Sequence, residues 1–107
     1  MEKLNYDGIK FVLIENIQSM EITKGISQQI LWNGENGKHT AIYKFEANSK
    51  LPFVDLHSLY DEHIYVIDGT FNDGMKNYEK GSYIINPKGT AHLPQSKEGC
   101  TIFVIYS

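Results

Sequence analysis

Gly81-Ser82-Tyr83-Ile84-Ile85-Asn86-Pro87-Lys88-Gly89-Thr90-Ala91-His92 carries the spacing G-x5-P-x-G-x2-H. Gly81 ends a turn, and Ser82 to Ile85 reads as a short strand. Pro87 and Gly89 make a tight turn, from which His92 re-enters the next strand. A second stretch lies upstream: Asp55-Leu56-His57-Ser58-Leu59-Tyr60-Asp61-Glu62, continuing to Gly69, with the spacing D-x-H-x4-E-x6-G. Two segments that each bring histidine or carboxylate to a strand end are what a metal site in a small β-barrel needs.

These stretches resemble the two motifs of the cupin superfamily, G-x5-H-x-H-x3,4-E-x6-G and G-x5-P-x-G-x2-H-x3-N. The second motif matches at Gly81, Pro87, Gly89 and His92 and departs at Ser96, where the pattern has Asn. The first matches at His57, Glu62 and Gly69; it departs at Asp55, where the pattern has its first His, and at Ser49, where it has its first Gly. The wording from Glu62 to Asp73 and from Asn86 to His92 is similar to one branch. That branch holds the cupin domain of ChrR-type zinc anti-sigma factors and small diketone-cleaving dioxygenases. The resemblance spans Ile26 to Tyr106, with motif 1 at about residues 49–69 and motif 2 at about 81–96. It implies an all-β fold: a double-stranded β-helix, or jelly-roll barrel, of two antiparallel sheets. It says little about function, because such barrels host many chemistries.

A chain of 107 residues fits one compact domain, 1–107, with a real core. Net charge is −3 with no basic block, which argues against nucleic acid or an anionic membrane as partner. The single cysteine, Cys100, excludes an intrachain disulfide. The first ten residues lack the apolar core of a signal peptide, and no apolar run approaches the ~20 residues of a membrane span. A cytoplasmic protein is the expectation.

Short runs punctuated by Gly and Pro predict strands at Ile26–Trp32, Thr40–Phe45, His63–Ile67, Tyr83–Ile85 and Thr101–Tyr106. Asn33 to Gly37 links the first two as a hairpin. Asp68-Gly69 bounds the third, and Asp73-Gly74 is a further turn signal. Ala47 to Pro52 reads as a loop. Lys10 to Glu15 is a β-branched and aromatic run, whereas Ile14 to Ile22 could instead form one helical turn or two.

The chemistry converges on Asp55, His57, Glu62 and His92. Asp55 and His57 are two apart, so on an extended strand they share a face. If the strands pair as the resemblance implies, all four point inward. Imidazole and carboxylate together suit Fe(II), Mn(II), Zn(II) or Ni(II). Asp55 either ligates, or leaves a set of two His and one carboxylate and supports it from behind, or marks a lost site. Asp55 and Glu62 are the candidate catalytic carboxylates. His63 should face away from Glu62, and His39 and Asp61 should lie at the surface. Tyr43, Phe53 and Tyr60 could line a pocket mouth, though core is the commoner place for aromatics, as for Trp32. Cys100 reads as a small buried hydrophobe.

Three functions follow as expectations. One is a metal-dependent, oxygenase-like enzyme acting on a small organic molecule held with O₂ at open coordination positions. The other is a metal- or ligand-binding sensor without catalysis, acting through a separate partner. A metal-free small-molecule-binding barrel is a third. Exposed edge strands and apolar segments such as Phe11 to Ile14 also predict a homodimer.

Overall fold

The computed structural model describes residues 2–107. Its strands are β1 (Met20–Thr23), β2 (Ile26–Asn33), β3 (His39–Phe45), β4 (Ser49–Lys50), β5 (Asp55–Leu56), β6 (Glu62–Asn72), β7 (Asn77–Glu79), β8 (Tyr83–Asn86), β9 (Ala91–His92), β10 (Gln95–Ser96) and β11 (Cys100–Tyr106). Every pairing is antiparallel. Among the described residues there is no α-helix, only 3-10 turns at Ile14–Asn16 and Glu35–Gly37, and no helix long and apolar enough to cross a membrane. The large sheet runs β1-β2-β3-β11-β6-β10-β4, with β7 and β8 also paired to β6, and β5 and β9 form a separate ladder. The result is the all-β jelly-roll barrel that the motif spacing predicts.

β6 is the hub. Its first half lies between β11 and β8, and its second half pairs with β7 and touches β10. One chain thus passes from one face of the barrel to the other. A bulge makes the passage possible: Ile102 pairs with Val66 and Thr101 with Asp68, leaving Ile67 as the extra residue. Before the bulge the buried positions are Glu62, Ile64 and Val66; beyond it the buried position is Phe71. One inserted residue flips the inward parity, so an apolar row stays inside while the strand bends. The sequence reads Asp68-Gly69 as the end of the strand, whereas the strand runs through it. Asp73-Gly74 is the real turn, where Asp73 Oδ1 accepts from the backbone N–H groups of Met75 and Lys76.

The buried cluster is built from inward positions of β2, β3, β6, β8 and β11, with Ile26, Phe45, Ile64, Phe71, Ile102 and Val104 at its centre. Cys100 belongs to it as expected, and burial pushes its thiol up to about 11. Toward one end, the cross-strand register lines up His39, Tyr106, Glu62 and Asn86 on the inner face. The apolar core there gives way to polar groups, so this row is the floor of the candidate site.

Three smaller expectations change. Lys10 to Glu15 forms no strand; its end enters a 3-10 turn at Ile14–Asn16, in line with the helical alternative, and β1 begins only at Met20. Ser49–Lys50, inside the expected loop, pairs with β10. Trp32 is half-exposed rather than core, because an irregularity between Ile30 and Trp32 breaks the β2–β3 register.

Gly69 and Gly81 provide a contrast that tests the bulge. Both have positive φ, +73° and +91°. A Cβ on Gly69 would lie 2.1 Å from the Gly99 carbonyl oxygen, whereas one on Gly81 meets nothing within 4 Å. Gly69→Ala therefore combines a left-handed backbone penalty with a backbone clash and should lower stability by more than about 2 kcal/mol. Gly81→Ala carries only the backbone penalty, about 1 kcal/mol. Urea denaturation of the two variants checks this; equal losses would mean that β6 has room to relax at the bulge.

Candidate metal centre

Two chain segments meet at the site because the Pro87 turn is fastened to the loop that carries His57. The Thr90 N–H closes the turn on the Pro87 carbonyl at 3.0 Å. The His57 N–H donates to the Thr90 carbonyl at 2.9 Å, and the Gly89 N–H to the His57 carbonyl at 2.7 Å. The Lys88 N–H donates to Asp61 Oδ1 at 2.8 Å, so Asp61 holds the turn rather than being merely solvated. Beyond it, β5 and β9 pair with Asp55 directly opposite His92. Glu62 arrives from the start of β6, where its backbone is held between β8 and β11.

The four predicted residues come together, with one candidate ligand atom from each lying within 4.8 Å of the others. His57 Nε2 is 2.9 Å from Glu62 Oε1 and 3.3 Å from Asp55 Oδ2. His92 Nε2 is 3.3 Å from both of those oxygens. The two imidazole rings meet edge to face at 4.6 Å. His57, Glu62 and His92 are almost wholly enclosed, and the Asp55 side chain keeps 30% exposure. Asp55 is therefore long enough to place an oxygen in the set, which the sequence leaves open.

Neighbours fix how these groups present themselves. Thr90 Oγ1 donates to the Pro87 carbonyl at 2.6 Å, so its lone pairs face His57 Nδ1, 3.2 Å away. A neutral His57 with its proton on Nδ1 turns the Nε2 lone pair into the cluster, whereas a charged His57 donates through Nε2 to Glu62. Asn86 Nδ2 donates to Glu62 Oε1 at 3.2 Å. Bonding to His92 holds the Asp55 carboxyl below its ordinary range, and bonding to Glu62 raises the His57 imidazole. His57 Nε2 is buried and faces only carboxylate oxygens, Glu62 Oε1 at 2.9 Å and Asp55 Oδ2 at 3.3 Å. With the imidazoles neutral, the two carboxylates lie close together with little besides the Asn86 amide to offset them, and only Asp55 reaches solvent. Nitrogen and oxygen donors gathered within 4.8 Å, with buried imidazole nitrogens facing only carboxylate oxygens, fit a divalent transition metal.

The cluster stands between two cavities. An inner chamber of about 190 Å³ is lined mainly by apolar groups, including Leu51, Phe53, Phe71 and Ile102, with Asp55, Glu62 and His92 at its end. An outer vestibule of about 220 Å³ is bordered by His39, Leu56, Leu59 and Tyr60 as well as Asp55 and His57. Asp55 and Tyr106 belong to both walls. Burial raises the Tyr106 phenol, and the nearby Glu62 charge adds to the effect, so the hydroxyl stays protonated. In the chamber wall, Tyr43 OH accepts from Gln28 Nε2 at 2.7 Å, which leaves its own proton free to donate. His39 is not a plain surface residue: its ring lies 4.6 Å from that of Tyr106. His63 does face outward, against Tyr83. Sequence reasoning missed Thr90, Asn86 and Tyr106. Thr90 lies inside the decisive stretch, but only the strand register brings Asn86 and Tyr106 to Glu62.

An antiparallel jelly roll with a buried two-His, two-carboxylate cluster at one end is a cupin. Residues 9–107 match the model of the ChrR cupin-like domain, and the chain belongs to that family. Among solved structures, an RmlC-like cupin from Shewanella frigidimarina NCIMB 400 is similar at 22% identity and a TM-score of 0.78, covering 94% of this chain and 91% of that one. The anti-sigma ChrR, in complex with SigE from Rhodobacter sphaeroides, is similar at 18% identity and a TM-score of 0.75, covering 89% of this chain and 51% of that one. The polyketide cyclase RemF from Streptomyces resistomycificus is similar at 18% identity and a TM-score of 0.76, covering 92% and 78%. At these identities the likeness is one of fold. No curated protein sequence matches the chain.

Thr90→Val keeps the shape of the side chain and removes the acceptor for His57 Nδ1. Affinity for Zn(II) or Co(II), measured by chelator competition, should fall about 10- to 100-fold, as for lost support behind a ligand. An unchanged affinity would show that the turn backbone alone orients the ring.

The charge pattern also fixes a pH dependence. His57 is raised above its ordinary 6.5, so its stabilisation of the metal-free fold is complete below 6.5 and is lost as pH rises through the folded-state value. Asp55 is lowered from 3.8, so its contribution is present above 3.8 and is lost as pH falls through its folded-state value. The metal-free protein should be most stable between these limits and weaken above them. Added Zn(II) should raise the melting temperature more at about pH 8 than at about pH 5.5, since only neutral imidazole ligates. Melting curves in Zn(II) and in chelator, at both pH values, measure the two trends; a metal-free protein that strengthens steadily toward pH 8 contradicts the pairing.

Proposed function

We propose that this chain binds a divalent transition metal through Asp55, His57, Glu62 and His92 and uses it on a small organic molecule, in an oxygenase-like reaction. The observation that supports the metal reading is the convergence of His57 Nε2, His92 Nε2 and carboxylate oxygens of Asp55 and Glu62 within 4.8 Å, while Thr90 lies against the other nitrogen of the His57 ring. When bound, such a metal would supply Lewis-acid or redox chemistry toward an oxygen-bearing substrate. The residues of the chain do the rest. The inner chamber is smaller than drug-sized ligand pockets and mostly apolar, which suits a compact molecule. Tyr43 has a phenol proton free for that space, and the Tyr106 hydroxyl bonds toward Glu62. Asp55, the most exposed member of the set, has the access to the vestibule that a proton acceptor needs.

A second reading has its own support. Leu56 and Leu59 stand exposed at 60% and 67% beside the ligand His57, in a family named for an anti-sigma cupin. A ligand-sensing domain would use such a rim to report metal or ligand occupancy to a separate protein.

Elemental analysis of protein purified without chelators should find about one transition metal per chain. Loaded anaerobically with Fe(II) and given a β-dicarbonyl or catechol-like compound, the enzyme should consume O₂. His57→Ala and His92→Ala should abolish metal retention. Asp55→Asn should weaken it strongly if the carboxylate ligates, and about 10- to 100-fold if it only orients a neighbour. Protein that holds metal but consumes no O₂ with any such compound favours the sensor; protein that takes up none of Fe(II), Mn(II), Zn(II) or Ni(II) overturns the site.

A further inference from the structure

The inner chamber holds one polar group that the metal cluster does not use. Apart from Asp55, Glu62 and His92, the polar side chains that line it among the described residues are Tyr43 and Tyr106. The Tyr106 hydroxyl bonds toward Glu62 and so belongs with the cluster. Tyr43 does not. On β11, Ile102 pairs with Tyr43, whereas Tyr106 pairs with both His39 and Glu62. Ile102 and Tyr106 are four residues apart, and at about 3.3 Å per residue Tyr43 is rooted about 13 Å along the strands from the row that holds Glu62. A phenol therefore stands in an otherwise apolar stretch of wall, between Phe45 and the cluster.

Its neighbours leave that phenol ready to donate. Gln28 lies directly across from Tyr43 on β2, so the two side chains share a face. Gln28 Nε2 donates to the Tyr43 oxygen at 2.7 Å, and the hydroxyl proton goes to no other described group. Burial raises the phenol, so the proton stays on it at neutral pH. No Lys or Arg lines the chamber. An anionic ligand group would therefore lie near Asp55 and Glu62 without a counter-charge. The way in is apolar too. Ile22 on β1 and Phe53 ahead of β5 both line the chamber and are 44% and 60% exposed, so it reaches the surface between them.

We propose that the inner chamber takes a compact, uncharged molecule bearing a carbonyl oxygen, and that Tyr43, oriented by Gln28, selects it by donating its phenol proton to that oxygen. The body of the molecule lies against Leu51, Phe71 and Ile102. A carbonyl suits this wall because it brings an acceptor and no proton of its own, so nothing is left unpaired among apolar neighbours. A hydrocarbon of the same shape would strip water from the Tyr43 hydroxyl and give nothing back. Tyr43 is thus a specificity-determining residue at a distance from the reacting end. This ligand class rests on the reading that the chamber receives the organic molecule, and it needs no metal.

The test is an amide chemical-shift titration of the isotope-labelled full chain in chelator. The probes are cyclohexanone, methylenecyclohexane, which has the same shape and no acceptor, and cyclohexanecarboxylate. Cyclohexanone should shift chamber residues such as Ile102 and Val104, and the carboxylate should bind more weakly. Tyr43→Phe should lower the ketone affinity about three- to tenfold and leave the hydrocarbon affinity unchanged or tighter, which also shows that the chamber is intact. Gln28→Leu should weaken the ketone as well, by letting the phenol turn. A ketone-to-hydrocarbon ratio that Tyr43→Phe leaves unchanged overturns the proposal. So does a carboxylate that binds the metal-free chain as well as the ketone does. A Gln28→Leu chain that binds the ketone more tightly overturns it too, since the phenol proton would then have been engaged by Gln28. Zn(II) uptake separates this result from the metal reading. A chain that takes up no metal yet keeps the Tyr43-dependent preference upholds the ligand class and removes only the metal site. One that holds Zn(II) but lacks the preference overturns the ligand class alone.

Discussion

The site depends on the fastening of the Pro87–Thr90 turn to the loop at His57. Two backbone hydrogen bonds tie His57 to Gly89 and Thr90, and the Thr90 hydroxyl then reaches the His57 ring. Because the same turn leads directly into β9, holding His57 also sets where His92 stands opposite Asp55. Glu62 is placed independently, by the hub strand of the barrel. Three members of the cluster therefore depend on one short contact between loops, and the fourth on the sheet. A fold of this size can hold a precise cluster because its least regular segments are tied to each other rather than left at the surface.

The electrostatics give that arrangement a purpose. Enclosing carboxylates is unfavourable unless positive charge or hydrogen bonds offset them. Here the offset comes from Asn86, from the two imidazoles when they bind protons, or from a cation. The same groups that are crowded in the metal-free fold are those that a divalent ion would satisfy. Site and stability are thus coupled through one set of charges. The apolar chamber behind them sharpens the effect, since it offers Glu62 and His92 little water.

The two ends and the flank of the barrel divide the remaining work. The end with the cluster opens to a chamber and a vestibule, while the outer sheet face and the segment before Ile14 carry apolar surface that the barrel's own core cannot absorb. The bulge at Ile67 links these features. By flipping the parity of β6 it keeps Glu62 and Phe71 both inside, and it leaves Tyr65 and His63 outside.

The sequence by itself determined the fold and the identity of the four clustered residues. Spacing and residue type are properties of the chain, and Gly, Pro and His at fixed intervals constrain turns and strand ends locally. It determined less where long-range pairing decides. Asp68-Gly69 reads as a turn in isolation, yet the Gly99–Cys100 backbone packs against it and carries the strand onward. Trp32 belongs in a core by its chemistry but is turned out by a slip in register. Whether Asp55 could reach the cluster was open in the sequence; the β5–β9 ladder settled it by setting Asp55 opposite His92. Thr90, Asn86 and Tyr106 acquired their roles only from tertiary structure, because their partners lie 24 to 44 residues away along the chain and are joined to them by strand register and turn contacts alone.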